Sequence, residues 1–254
     1  MRSCCHPGPS VLVAFFLSVV CLSVADLAQA QGAGDGFLFR TPAGEVSFRG
    51  GFDRAGAGSD IFAFTVKQLT LRRQDFSSPT FTTDVDYSLT PRLGARFSVG
   101  VSQSNTPSEF RDFVDNNRQP IQQTTGFIRV PLTVSMKAYL ASPGRSVGRF
   151  AWIPSRYAPY VGAGGGAMWY RFRQEGDFID FATGKVFFDA FLSQGWAPTA
   201  QAFIGTDVAL KPRFAVTAEG RYQWARSRLS TDFSQFQPID LSGFAVTGGF
   251  SIRY

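Results

Sequence analysis

Residues 128–140 read IRVPLTVSMKAYL, and their alternation decides the fold. Ile128, Val130, Leu132, Val134, Met136, Ala138 and Leu140 fall on one side of an extended chain. Arg129, Pro131, Thr133, Ser135, Lys137 and Tyr139 fall on the other. Successive side chains of a strand point to opposite faces, so this stretch has one apolar face and one polar, charged face. A helix would need apolar residues at i, i+3 and i+4 instead. Strands of globular proteins average about 5–6 residues. A tilted strand needs about 9–11 to cross hydrocarbon, and this one is long enough.

The same period continues outward in both directions. Val46, Phe48, Gly50 and Phe52 oppose Glu45, Ser47, Arg49, Gly51 and Asp53; Thr83, Val85, Tyr87 and Leu89 oppose Thr82, Asp84, Asp86 and Ser88. Leu93, Ala95, Phe97, Val99 and Val101 oppose Gly94, Arg96, Ser98, Gly100 and Ser102. Farther on, Ala200, Ala202, Ile204, Thr206, Val208 and Leu210 oppose Gln201, Phe203, Gly205, Asp207 and Ala209. Phe214, Val216, Ala218, Gly220, Tyr222 and Trp224 oppose Ala215, Thr217, Glu219, Arg221 and Gln223. Phe244, Val246, Gly248, Phe250, Ile252 and Tyr254 oppose Ala245, Thr247, Gly249, Ser251 and Arg253. Residues 158–173 form an eighth segment, whose faces are obscured by Gly162, Gly164, Gly165 and Gly166. The connections at 90–92 and 211–213 are tight and 141–157 is of medium length, whereas 55–78, 105–120, 174–195 and 227–239 are long. Short turns at one end and long loops at the other are the habit of transmembrane barrels. The expected fold is all-β: an eight-stranded antiparallel up-and-down transmembrane β-barrel.

Composition agrees. Charged residues make up 17% of the 254, against roughly 25% in soluble domains. Aromatics at 15%, with 27 Phe, exclude a disordered chain. Beyond residue 30 the uncharged stretches 157–170, of 14 residues with four glycines, and 190–206, of 17 residues with Pro198 inside it, are too short for a helix that spans with about 18 or more. At the start, Arg2, the apolar run Val11–Val24 and Ala28-Gln29-Ala30 read as a secretory signal peptide over 1–30. Cys21 raises the alternative of a lipoprotein, but Ser18-Val19-Val20 lacks the small residue that precedes a lipidated cysteine. Removal of the signal takes Cys4, Cys5, Cys21 and His6 with it, every cysteine and the lone histidine. Disulfides, thiolate or imidazole catalysis and Cys/His metal sites are then excluded. Residues 31–43 are expected to be a periplasmic lead and 44–254 the barrel.

The closing residues Thr247, Gly249, Ile252 and Tyr254 follow a polar, glycine, hydrophobic, aromatic order. That order resembles the β-signal by which the bacterial barrel-assembly machinery recognises its substrates. With it, the chain after residue 30 resembles the small eight-stranded outer-membrane barrels of the OmpA-transmembrane, OmpX and OmpW type. The resemblance implies a place in the outer membrane of a Gram-negative-type cell, assembly by that machinery, and lipid and lipopolysaccharide as neighbours. The expected barrel runs to Tyr254, so the peptidoglycan-binding domain of full-length OmpA is not part of the comparison.

On the strand reading the lumen holds six acids, Glu45, Asp53, Asp84, Asp86, Asp207 and Glu219, and six bases, Arg49, Arg96, Arg129, Lys137, Arg221 and Arg253. Unpaired charge away from water is very costly, so a balanced set rich in Arg forks implies a paired network. An eight-stranded barrel is just wide enough for its own side chains, so the bore is expected to be plugged. The three short connections carry Arg92, Arg145, Arg149, Arg156, Lys211 and Arg213 and no acid, which accounts for the net +6. Such a basic ring suits anionic headgroups, at about 1 kcal/mol per residue. Nucleic acid is not an expected partner of an exported chain whose bases are divided in this way.

Residues with chemical potential have structural readings beside them. Asp84 and Asp86 share a face as an acid/base pair would, but pairing with lumen arginines accounts for them. Ser135 and Lys137 could form a dyad; lumen packing accounts for them too. Asp112, Asp115, Asn116 and Asn117 place oxygen ligands in one loop without EF-hand spacing, so no metal site is expected. The glycines of 162–166 precede no Lys-Ser/Thr and cradle no phosphate; they let a strand bend or a bulky inward neighbour approach. Trp169, Tyr170, Tyr222 and Trp224 suit an interfacial belt. Arg171, Arg173, Arg226 and Arg228, at outer strand ends, suit lipopolysaccharide phosphates. The apolar loop stretches 178–192 (Phe178, Ile179, Phe181, Val186, Phe187, Phe188, Phe191 and Leu192) and 61–71 (Ile61, Phe62, Phe64, Val66, Leu69 and Leu71, with Ser59 or Asp60 as helix cap) could form a lid, a hairpin extension or a mouth for a hydrophobic ligand. The expected function is structural or surface-interacting, without enzyme activity or cofactor. A conduit or binder for small hydrophobic molecules is the first alternative and a lipid-modifying enzyme the second.

Overall fold

The computed structural model describes residues 36–114, 119–148, 150–180, 183 and 185–254. The expected signal peptide, the first residues of the lead, Asp115, Asn116, Asn117, Arg149 and Phe181 lie outside them. In chain order the elements are β1 (Gly44–Ala55), α1 (Asp60–Gln68), β2 (Ser78–Ser88), β3 (Leu93–Val114), β4 (Pro120–Tyr139), β5 (Gly144–Val147), β6 (Ala151–Pro154), β7 (Tyr157–Ile179), β8 (Val186–Ala209), β9 (Phe214–Ser227), β10 (Ile239–Asp240) and β11 (Gly243–Arg253).

Strands β1, β2, β3, β4, β7, β8, β9 and β11 each pair antiparallel with the next, and β11 returns to β1 from Glu45↔Arg253 to Ala55↔Gly243. The ring of eight is closed, which leaves no sheet edge around the barrel. The termini and the three short connections share one end, and the four other connections share the opposite end.

Parity decides which side chains enter the barrel. In β4 the odd positions from Thr125 to Lys137 point inward, apart from a disturbance at Pro131. Proline has no N–H for a ladder, and the pairings of 130 and 131 with β3 are missing between Ser102↔Arg129 and Val99↔Leu132. In β7 the even positions point inward, an assignment that the glycine run hid from the sequence. The glycines make room for rings: a Cβ on Gly162 would strike the Phe203 ring, and one on Gly205 the Tyr160 ring.

Two of the expected long loops are mostly strand. β3 and β4 extend to Val114 and Pro120, and β7 and β8 to Ile179 and Val186, with β4 and β7 paired as far as Gln123↔Gly176. The alternating phenylalanines of the second hairpin hold it by ring contacts, Phe178–Phe191 at 4.7 Å and Phe178–Phe187 at 6.2 Å. Of the three alternatives for 178–192 and 61–71, the described residues of the first stretch extend the barrel as a hairpin, and the second packs into its mouth. Ser59 occupies the N-cap position of α1 without capping it; its Oγ accepts from Asp240 N–H at 3.1 Å. The connection at 141–157 contains the small hairpin β5–β6.

Candidate functional site

All twelve ionisable residues of the polar strand faces lie buried inside the barrel. Eleven of them form two groups. Glu219 is the hub of the larger group: it accepts from Arg49 at 2.5 Å, Arg96 at 2.6 Å, Arg221 at 2.8 Å and Tyr160 Oη at 3.0 Å. Arg96 also grips Asp86 with both prongs, at 2.7 and 2.8 Å. Asp84 pairs with Arg49, with Arg221 at 3.2 Å, and takes a hydrogen bond from Ser98. Lys137 reaches Glu45 at 2.5 Å, Asp207 at 3.1 Å and Asp86 at 3.5 Å. The smaller group is Arg129 with Asp53, at 2.9 Å. Arg253 stands apart, with its Nε 3.8 Å from Glu45.

These contacts decide the chemical candidates. Asp84 and Asp86 are engaged by different arginines rather than by one another. Ser135 Oγ accepts from Gln201 at 2.8 Å while Lys137 is held by carboxylates, so the two residues serve different partners. Asp112 is exposed at the end of β3. Thr247 and Gly249 face inward and Ile252 outward; Tyr254 Oη donates to Asp86 O at 3.4 Å.

Above the ionic layer, toward the long-loop end, the interior changes character. Phe127 on β4, Met168, Tyr170 and Phe172 on β7, Ala197 on β8 and Ala225 on β9 are buried together with Ile61 and Phe62 of α1, Leu69, Leu71, Phe76, Phe233, Ile239 and Leu241. Phe62 is the wedge, with ring contacts to Phe76, Phe127 and Phe172 at 4.7, 5.4 and 5.7 Å. Arg129 joins the layers: its Nη1 donates to Leu241 O at 3.1 Å, and its guanidinium lies over Phe127. The expected charge network therefore fills only part of the interior, and an oily kernel fills the rest.

This corrects the place of Tyr170. It lies inside the barrel, 1% exposed, and donates to Arg228 O at 2.8 Å instead of sitting in an outer belt. Trp196, Trp224 and Tyr222 are on the outer surface, and Trp169 stands opposite Trp196 in the ladder. On one side of this level the wall is apolar outside and charged inside, as at Val134, Met136 and Ile204 against Lys137 and Asp207. Beyond it the wall is polar outside, with Arg171, Arg173 and Glu175, and apolar inside, with Met168, Tyr170 and Phe172. The inversion follows from surroundings: an outer wall in lipid must be apolar, and one in water must not. Parity was legible in the sequence; the inversion was missed because α1 and the 228–242 loop, which supply the partners for those inner residues, come from elsewhere in the chain. Arg226 and Arg228 are exposed, and Arg173 is paired with Glu175 at 2.9 Å.

A closed ring of eight antiparallel strands, apolar outside at mid-height and ion-paired within, defines the class of small transmembrane β-barrels. The chain is similar to three solved proteins of that architecture. The outer membrane protein OprG from Pseudomonas aeruginosa shares 14% identity over 85% of this chain and 99% of its own, with a TM-score of 0.46. Neisserial surface protein A shares 13% over 88% and 100%, with a TM-score of 0.39. Ail, the attachment invasion locus protein of Yersinia pestis, shares 13% over 82% and 99%, with a TM-score of 0.38. No protein-family profile matches the sequence. No curated protein matches it either.

Proposed function

We propose that the chain is an integral outer-membrane protein and a sealed one, which serves the envelope structurally and through surface contacts rather than as a pore or an enzyme. The observation that carries this is the interior itself, blocked first by the Arg96–Glu219 contact and its neighbours and then by Phe62 and the rings around it. The short-turn end, with Arg92, Arg145, Arg156 and Lys211 exposed, faces the periplasm and the inner-leaflet headgroups. The extended hairpins face outward, where Arg171, Arg173, Arg226 and Arg228 contact lipopolysaccharide phosphates just above the tryptophan level. The test is reconstitution of the purified chain in planar bilayers and in lipopolysaccharide-containing vesicles. The expected result is no steady conductance, and lipopolysaccharide binding that falls when the four arginines are changed to Gln. Reproducible channels closed by a small hydrophobic molecule would overturn the sealed reading.

A second reading, a binder of small hydrophobic molecules, is favoured by the rings at the mouth: Phe64 against Phe236 at 5.3 Å and Phe191 against Phe233 at 6.2 Å. Saturable quenching by an alkane or aromatic probe, lost in Phe233→Ala, would select it. Lipid A and phospholipid profiles unchanged by overexpression are expected for a non-enzyme.

A further inference from the structure

At the short-turn end the lead folds back under the barrel. Leu38 N–H donates to Trp152 O at 2.8 Å, and Trp152 N–H donates to Leu38 O at 2.7 Å. Thr41 and Ser146 hydroxyls meet at 3.4 Å. The lead and the β5–β6 hairpin thereby make a floor, and between floor and lumen lies a cleft of about 470 Å³, lined among others by Glu45, Lys137, Tyr139, Trp152 and Arg253.

Arg253 is the anomaly in this cleft. Its side chain is 4% exposed, yet neither Nη atom has a hydrogen-bond partner among the described residues. Glu45 does not supply one: its Oε1 is occupied by Lys137 at 2.5 Å and Tyr139 Oη at 3.2 Å, and its Oε2 stands 3.8 Å from Arg253 Nε. The Trp152 ring covers the guanidinium, 5.6 Å from its carbon to the ring centroid. A buried donor left unmade is costly, more so on a charged group. The five donors of an Arg fork match the oxygens of a phosphate. At the same end of the molecule, Arg92, Arg145, Arg156 and Lys211 are exposed on connections without a carboxylate, a field that draws anions toward the cleft.

We infer that this cleft binds a phosphate group, held by the two Nη atoms of Arg253 once the Trp152 ring tilts off them. The phosphate belongs either to a soluble anion or to an anionic phospholipid headgroup. The site stands on the geometry of the floor; only the lipid source depends on the proposed membrane placement.

Trp152 is the reporter. The purified full chain, in zwitterionic detergent, is titrated with inorganic phosphate and separately with phosphatidylglycerol or phosphatidylcholine bicelles, and tryptophan fluorescence is followed. Folding of each variant is checked by its heat-modifiable gel mobility. The expected result is a saturable change in the wild type that disappears in Trp152→Phe and whose affinity falls roughly tenfold or more in Arg253→Gln. A response to inorganic phosphate identifies the soluble anion; a response to phosphatidylglycerol without one to phosphate or phosphatidylcholine identifies the headgroup. No response to either probe, or equal affinity in Arg253→Gln, overturns the site. If Arg253→Gln does not fold, Arg253→Lys replaces it, because it keeps the charge and loses the fork; equal affinity there overturns the site as well.

Discussion

Arg96 and Glu219 meet at 2.6 Å although β3 and β9 stand four strands apart in a ring of eight, on opposite walls of the barrel. Their contact spans the bore. Because Glu219 also receives Arg49, Arg221 and Tyr160, the centre of the barrel is a carboxylate enclosed by cations.

Glu219→Gln should therefore destabilise the barrel by about 3–5 kcal/mol, since it leaves buried guanidinium charge uncompensated. The measurement is equilibrium unfolding in denaturant from lipid vesicles. The double variant Arg96→Met/Glu219→Leu should recover a large part of that loss. A Glu219→Gln variant as stable as the wild type would contradict the central role of the network.

Gly162→Ala should cost about 1–3 kcal/mol by forcing the Phe203 ring out of place. Gly50→Ala is the comparison: a Cβ there meets nothing within 4 Å, so the outer surface should accept it without loss. The two midpoints, read side by side on one refolding protocol, test whether inward glycines are there for ring clearance.

Phe62→Ala removes the wedge from the oily kernel and should lower stability by about 3–5 kcal/mol. The damage should be local to the long-loop end. Hydrogen exchange in α1 and in 228–242 should accelerate markedly while amides beside Glu219 keep their protection. Uniform acceleration would mean that the two layers unfold as one.

Tyr170→Phe should cost about 0.5–1.5 kcal/mol, the worth of the hydrogen bond to Arg228 O, because the ring stays packed. It should leave the depth of the protein in the bilayer unchanged, as reported by quenching with depth-graded brominated lipids. Trp196→Ala, on the outer surface, should do the reverse: little change in unfolding and an altered depth profile.

Part of this architecture can be read from the chain alone. Val134 and Lys137 differ in parity, and parity in a strand assigns one to the lipid side and the other to the interior; the same rule puts Glu45, Arg96 and Glu219 inside from the sequence alone. What parity cannot supply is a partner across the bore. Arg96 and Glu219 are 123 positions apart, and only closure of the ring brings them to one point.

The rest was illegible for two physical reasons. Gly162, Gly164, Gly165 and Gly166 carry no side chains, so they erase the polarity signal that would place Tyr170 and Phe172 inside. The alternation in 105–114 reads as loop because its outer face, with Asn105, Glu109 and Arg111, is polar in water, where the rule derived for a lipid-facing wall no longer applies. Local sequence determined strand, face and charge balance, since these depend on the residue and its neighbours two positions away. Tertiary structure decided which charges pair, that Phe62 caps the bore, and that the two Nη atoms of Arg253 have no hydrogen-bond partner among the described residues, since each depends on segments that meet only when the barrel closes.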